Sequence, residues 1–317
     1  CVTVTATIIL VSSFSALLYH WGILQRIVQA MAWVMQHSMG TSGSESLAAA
    51  ANIFMGQTEA PLVIKPYLRG MTNSELLALM TGGMATIAGG VLAAYVGFGV
   101  SAGHLLTASV MSAPASLMLA KIMFPPQEPS PTAGGCVTDV PRETVNSLDA
   151  LCRGASDGMM LSLNVAAMLI AFVALVAMAN YLFALPQRWL GAASPISLQV
   201  VLGWLNAPFA FMMGVAPADC VAFGQVLGER IVLNEFVGYL SLIRLEQAAA
   251  VSPRTVTLAT YALCGFANFG SIAIQIGGIG ALVPERRADL ARLGLKAMIA
   301  GLLACYLTAA IVGVLTP

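Results

Sequence analysis

The chain is patterned first by where charge is missing. No acid or base falls between Glu75 and Lys121, Asp157 and Arg188, Arg188 and Asp219, or Arg254 and Glu285, and none follows Lys296. A membrane-spanning helix takes about 20 predominantly apolar residues, so the first gap has room for two. Helical periodicity adds little, because lipid-facing and bundle-facing sides are both apolar. The pattern predicts spans over Val4–Gly22 (continuing, more amphipathic, to Met39), Leu76–Gly99, His104–Phe124, Met159–Leu185, Thr255–Leu282 and Leu293–Thr316. Three further apolar stretches are interrupted: Gly40–Ile64 by Gly56 and Pro61, Pro195–Gly214 by proline, and Asp219–Leu242 near its middle. Pro125–Gly158 opens Pro-Pro-Gln-Glu-Pro-Ser-Pro and reads as an exposed connection with a surface helix in its latter part.

Composition turns this pattern into a class. Of 317 residues 58% are hydrophobic and 9% charged, where a soluble domain has about 25% charged. That is too little polar surface to wet a soluble fold, so the chain reads as an all-α membrane protein. Fourteen basic and fourteen acidic residues cancel, leaving no electrostatic footprint for nucleic acid. The chain opens at Cys1 without a Met or a basic flank, which argues against a signal peptide and suggests a missing N-terminal part.

Two regions resemble each other. The first is an interrupted segment with Gly56-Gln57-Thr58-Glu59-Ala60-Pro61, followed one span later by Gly83-Met84-Ala85-Thr86. The second is an interrupted segment with Asn234-Glu235-Phe236-Val237, followed by Gly265-Phe266-Ala267-Asn268. The Gly-x-Ala part alone is within the reach of chance among Gly/Ala-rich helices. A carboxylate at each break is harder to dismiss, and matched broken segments in two halves point to a transporter's binding site. The repeat divides residues 1–317 into a first half over 1–124 with a re-entrant hairpin at about 41–64, a connection over 125–158, and a second half over 159–317 with a hairpin at about 217–245. Ser42-Gly43-Ser44-Glu45 is a capping box that starts the first hairpin. Thr58 is the cap candidate for its descending helix, with Pro61 in the first turn, and Asn234 is the cap candidate in the second. Hairpin tips expose unpaired N–H groups that lipid cannot satisfy, so they belong in protein or facing water.

Glu59 and Glu235 lie between apolar flanks, and an acid at mid-membrane costs about 2.5–3.5 kcal/mol on insertion scales. A single such acid is explained equally by snorkelling to the interface. A matched pair reads as acceptors for ligand hydroxyl or amine donors. Asn52, Gln57, Thr58, Thr86, Asn268 and Ser271 surround the same breaks. Any one of them is explained by interhelical hydrogen bonding, while together they suggest a ligand site. Asn52 and Thr86, with carbonyls released at the break, could hold a small hard cation.

Other features carry less. Glu229 and Arg230 read as a local ion pair. His20, His37 and His104 are scattered and suit membrane interfaces. The six cysteines form no C-x-x-C pair, and the 17 methionines are packing material. No phosphate-binding loop, H-E-x-x-H or G-x-S-x-G motif occurs, so the sequence offers no enzyme signature and no ATP site, and uphill work would draw on an ion gradient.

At Asn52-Ile53-Phe54-Met55-Gly56-Gln57-Thr58-Glu59-Ala60-Pro61-Leu62 and Asn234-Glu235-Phe236-Val237 the sequence resembles the concentrative nucleoside transporters. The likeness continues through Met80–Gly89 and Leu263–Asn268 and covers nearly the whole chain. Two departures stand beside the second motif: Arg230 where the family has Lys, and Gly238 where it usually has Ala. The resemblance implies a multi-span helical bundle with two re-entrant hairpins and broken helices in an inverted repeat. It further implies a sodium/nucleoside symporter without further cofactor, assembled as a homotrimer in the lipid bilayer of the plasma membrane, or of the inner membrane in a bacterium. Proton-coupled branches and, less fittingly, a passive channel remain as alternatives. By motif position Gln57, Thr58, Glu59 and Val91 would lie by the nucleobase. Glu235, Phe266, Asn268 and Ser271 would hold the ribose. Asn52 and Thr86, with the carbonyls of Met55 and Ile87, would hold sodium.

Overall fold

The computed structural model describes residues 2–133, 144–191 and 195–316, and every regular element among them is helical. In order these are α1 (Val2–His20), α2 (Ile23–Met39), α3 (Gly43–Asn52), α4 (Ala60–Val63), α5 (Lys65–Leu68), α6 (Asn73–Ala85), α7 (Gly89–Gly97), α8 (Ala102–Met123), α9 (Ser147–Trp189), α10 (Leu198–Met212), α11 (Cys220–Val232), α12 (Glu235–Gln247), α13 (Pro253–Leu263), α14 (Phe269–Leu282) and α15 (Arg287–Leu315), with a 3₁₀ turn at Pro284–Arg286. Three of the described stretches are long and apolar enough to cross a bilayer: Asn73–Gly97, Ala102–Met123 and Pro284–Leu315. The expected Val4–Met39 stretch is the pair α1 and α2, bent by 75° at Gly22, whose φ of 74° is open to a residue without a Cβ.

Side-chain caps set many of the boundaries. Ser42 and Thr72 form capping boxes with Glu45 and Glu75, each pair satisfying N–H groups that a helix start leaves unpaired. Asn234 and Asn268 cap α12 and α14 by accepting from Val237 N and Ser271 N. Two of the three interrupted stretches are helix–tip–helix hairpins, α3 and α4 around residues 53–59 and α11 and α12 around residues 233–234. The third, Pro195–Gly214, is corrected to the single helix α10, which runs on through Pro208. Two stretches predicted as single spans are each two helices end to end. Leu76–Gly99 breaks at residues 86–88, between α6 and α7, and Thr255–Leu282 breaks at residues 264–268, between α13 and α14.

Three further local expectations need correction. No separate surface helix occupies the end of the 125–158 connection; α9 starts at Ser147 and runs unbroken through the expected Met159–Leu185 span. Gly154 and Gly158 do not break it but admit α1, since an added Cβ would lie 2.6 Å from Ser13 Cα or 2.8 Å from Ile9 Cα. Residues 134–143 of the connection, with Cys136, and Cys1 lie outside the described residues; Cys152, Cys220, Cys264 and Cys305 are free thiols. Thr58 does not cap α4: Glu59 holds the N-cap position without a side-chain cap, and its carboxylate folds back to accept from Gly56 N at 3.1 Å. Glu229 and Arg230 are not an ion pair, because consecutive helix residues do not face each other. Arg230 turns inward to Ala262 and Gly265, while Glu229 meets Ser241.

Two large apolar clusters and a small third one, Ala85, Ala115 and Ala304, fill the bundle among the described residues. One large cluster packs α2, α3, α6 and the first part of α15 around Leu77, Met80 and Leu290. The other packs α7, α11, α12 and α13 around Tyr95, Phe223, Phe236 and Tyr239. A polar clasp fastens the base of each hairpin. At the first, Glu75 accepts from Ser42 Oγ at 2.7 Å, Ser44 Oγ at 3.0 Å and Ser130 Oγ at 2.5 Å, and Lys121 pairs with Glu45. At the second, Asp219 accepts from Ser252 N at 3.0 Å and Thr255 Oγ1 at 2.7 Å. These donors stabilise the anion and hold the Asp219 carboxyl below its ordinary value.

Candidate functional site

The hairpin tips and helix breaks converge, and four predicted residues form one buried hydrogen-bonded chain. Glu235 opens α12 and is 3% exposed. Its Oε1 accepts from the Tyr95 hydroxyl at 3.1 Å and its Oε2 from Asn268 Nδ2 at 3.0 Å. The Asn268 Oδ1 accepts from Ser271 N at 2.9 Å. Ser271 Oγ accepts from Gln57 Nε2, on the first hairpin's tip, at 3.2 Å. Gln275 Nε2 closes the chain by donating to Gln57 Oε1 at 3.2 Å and to Met80 O at 3.0 Å. A path of direct contacts thus runs from the tip of one hairpin to the tip of the other.

Glycine makes that convergence possible at two positions. An added Cβ at Gly83 would stand 2.8 Å from Gln275 Nε2 and 2.9 Å from Gln57 Cβ; at Gly278 it would stand 3.0 Å from Thr58 Cγ2. Gly89 N also donates to Phe54 O at 3.1 Å, tying the first tip to the start of α7. Val91 and Phe266 lie in the same apolar cluster as Ile87 and Tyr95, which gives the polar chain an apolar wall.

The two acids are not equivalent. Glu235 is enclosed, with a phenol and an amide as its partners. Glu59 and Thr58 are exposed, and Glu59 is held only by its own tip. Each carboxylate oxygen of Glu235 keeps lone pairs beyond the one in use, so it can accept from a ligand hydroxyl.

A second constellation lies at the first break. Asn52 is 1% exposed, and both its Oδ1 and Nδ2 are buried without a partner. Burying an amide unpaired costs about 1–3 kcal/mol, which marks the place as built for something else. Asn52 Nδ2 sits 3.0 Å from the position of a Cβ at Gly82, and Thr86 Oγ1 donates to Gly82 O at 2.9 Å. Met55 and Ile87 occupy the adjoining non-helical segments. The side-chain oxygens of Asn52 and Thr86 are neutral, of the type suited to a hard cation. Among the described residues no group of three or more His, Cys, Asp or Glu is gathered as a metal site.

The sequence reading missed Tyr95, Gln275 and the inward role of Arg230. Gln275 had a signal, an amide in the otherwise apolar run of α14 beyond Ser271. Tyr95 had none, because one tyrosine in an apolar helix does not announce a partner 140 positions away.

The chain is similar to known proteins over nearly its whole length. The family model described as "Na+ dependent nucleoside transporter C-terminus" matches residues 104–313, and a model described as "Nucleoside recognition" matches residues 1–102. An uncharacterized transporter of Haemophilus influenzae is 46% identical over 98% of this chain and 75% of its own length. Mouse solute carrier family 28 member 3 is 43% identical over 98% of this chain and 46% of its length, and rat sodium/nucleoside cotransporter 1 is 42% identical over 97% and 50%. The chain therefore spans about half the length of these mammalian relatives. Among solved structures, CNTnw in an inward-facing substrate-bound state matches with TM-score 0.91 and 41% identity over 99% of this chain and 75% of that one. A CNTnw variant in an outward-facing state matches with TM-score 0.92 and 41% identity over 99% and 74%. These relatives and neighbours are transporters rather than enzymes, and the chain belongs to the concentrative nucleoside transporter family, a group of helical integral membrane proteins.

Proposed function

We propose that the protein is a secondary active transporter that imports nucleosides by symport with sodium, alternating access around the convergence of hairpin tips and helix breaks. The observation that supports this most is the buried chain Glu235–Asn268–Ser271–Gln57. It joins both hairpins through groups that can exchange their mutual hydrogen bonds for those of a polar guest. Glu235, Asn268 and Ser271, with Phe266 as an apolar wall, take the ribose. Gln57, Thr58, Glu59 and Val91 face the nucleobase. Sodium travels as a co-substrate on the oxygens of Asn52 and Thr86 with the carbonyls of Met55 and Ile87; the unpartnered Asn52 amide fits that role.

Names of relatives add support for the ion, since two rat relatives are called sodium/nucleoside cotransporters. The inward-facing and outward-facing states of CNTnw support alternating access on this fold. The working unit is a homotrimer in the plasma membrane, or the inner membrane of a bacterium. The two halves are residues 1–124 and 159–317, with hairpins at about 41–64 and 217–245. One observation favours proton coupling as a second reading: the first hairpin's tip carries an exposed carboxyl group, that of Glu59. A passive channel fits less well, because direct hydrogen bonds join the two hairpin tips.

The test is accumulation of unmodified radiolabelled nucleoside in proteoliposomes under an inward sodium gradient, a choline gradient and a pH gradient. Uphill accumulation with sodium alone is expected. Accumulation driven only by pH moves the coupling to protons, and equilibration without accumulation under every gradient overturns symport.

A further inference from the structure

Hairpin 2 grips the second helix break at both ends, with opposite charges. At one end Arg230, fully buried, donates from NH1 to Ala262 O at 2.6 Å and from NH2 to Gly265 O at 3.1 Å and Cys305 Sγ at 3.1 Å. Ala262 is in the last turn of α13, where carbonyls lack helical partners and the helix dipole is negative. At the other end Glu235 reaches Asn268, the cap of α14, where the dipole is positive. Six residues of hairpin 2, Arg230 to Glu235, thus carry a cation to a helix C-terminus and an anion to the next N-terminus.

The first half has the same break without the cation. The end of α6 is served by neutral groups: Thr86 Oγ1 on Gly82 O, Gln275 Nε2 on Met80 O and Cys305 Sγ on Ala85 O. Hairpin 1 presents Asn52 there, and its amide is unpartnered. The two breaks abut: an added Cβ at Gly265 would lie 2.8 Å from Met84 O, and Cys305 Sγ lies within hydrogen-bond reach of the carbonyls of both Ala85, at 3.6 Å, and Cys264, at 3.4 Å. Hairpin 2 therefore brings a fixed positive charge to one member of a paired arrangement, and hairpin 1 brings a neutral amide, that of Asn52, to the other.

We propose that Arg230 is a resident cation, occupying in the second half the role that a dissociable sodium ion fills in the first. It is a positioning residue: it does not touch the nucleoside but fixes the break from which Phe266 and Asn268 project. The inference rests on the reading of Asn52 and Thr86 as a sodium site. One break is then set permanently, and only the other waits for an ion before the polar chain is complete.

The test is nucleoside uptake by Arg230→Ala with and without millimolar methylguanidinium, beside wild type and Glu235→Gln. Arg230→Ala is expected to lose about tenfold or more of uptake, since a charged donor to two buried carbonyls is removed. Methylguanidinium should restore much of it, while leaving the other two proteins unchanged. Wild-type uptake by Arg230→Ala, or a monodisperse Arg230→Ala that the additive never rescues, overturns the proposal. If that variant does not fold, Arg230→Lys and Arg230→Gln decide. Lys, keeping the charge but not the two-pronged fork, retains more uptake than Gln, which falls about tenfold; equal activities overturn it. This comparison is made in whichever ion drives the wild type, so wild-type uptake indifferent to sodium removes the sodium reading and leaves the charge comparison standing.

Discussion

Asn268 holds Glu235 with one end of its amide and caps α14 with the other: Nδ2 is 3.0 Å from Glu235 Oε2, and Oδ1 accepts from Ser271 N at 2.9 Å. One side chain therefore makes the carboxylate's orientation depend on an intact second break. Glu235→Ala removes the acceptor and leaves both Asn268 Nδ2 and the Tyr95 hydroxyl unpaired. Uptake is expected to fall by about two orders of magnitude, consistent with about 1.5–3 kcal/mol for a charged hydrogen bond plus the orphaned donors. Uridine uptake at equal surface expression checks it.

Asn52→Ala and Thr86→Ala each remove one oxygen from the first break. The sodium concentration for half-maximal uptake is expected to rise by about tenfold or more, with the maximal rate at saturating sodium less affected. A sodium titration of initial rates gives the answer, and an unchanged midpoint in both variants removes these residues from the ion site.

Gln57 is the only link of the buried chain that comes from the first hairpin. Gln57→Ala breaks its contacts to Ser271 and Gln275 while keeping Glu235 and Asn268 in place. A higher KM for nucleoside, by about three- to tenfold, is expected with sodium dependence preserved. Kinetics over a nucleoside series measure the shift.

Asp219 gives a pH prediction for the second hairpin's base. Its carboxyl is held below the ordinary 3.8 by the Ser252 N–H and the Thr255 hydroxyl. A group lowered in the folded state contributes stability above its unfolded value and loses it as pH falls through the folded one. The contribution is thus intact at neutral pH and fades below 3.8. Asp219→Asn should lower the melting temperature of purified protein at pH 7, and the gap to wild type should close under acid. A gap that persists unchanged in acid contradicts this.

What was legible in the sequence was mostly local. The Ser42–Glu45 box and the Asn234 cap are four-residue patterns whose physics needs no tertiary context, and both are present. Carboxylates at two interrupted segments located the hairpins. The breaks inside Leu76–Gly99 and Thr255–Leu282 were hidden from the hydropathy pattern, because Thr86 and Asn268 interrupt a helix without interrupting an apolar run. Tyr95 and Arg230 escaped for another reason: their partners lie on helices distant in sequence. Thr58 was misread because its neighbour Glu59 can fold back on Gly56 N, an option that residue type alone does not rank.

The most direct measurement is equilibrium binding of uridine and 2′,3′-dideoxyuridine to purified wild type and Glu235→Gln in sodium. If the buried carboxylate accepts ribose hydroxyls, wild type prefers uridine by about tenfold or more, and the preference collapses in Glu235→Gln. A preference of the same size in both proteins would contradict the account, because the sugar would then be read elsewhere.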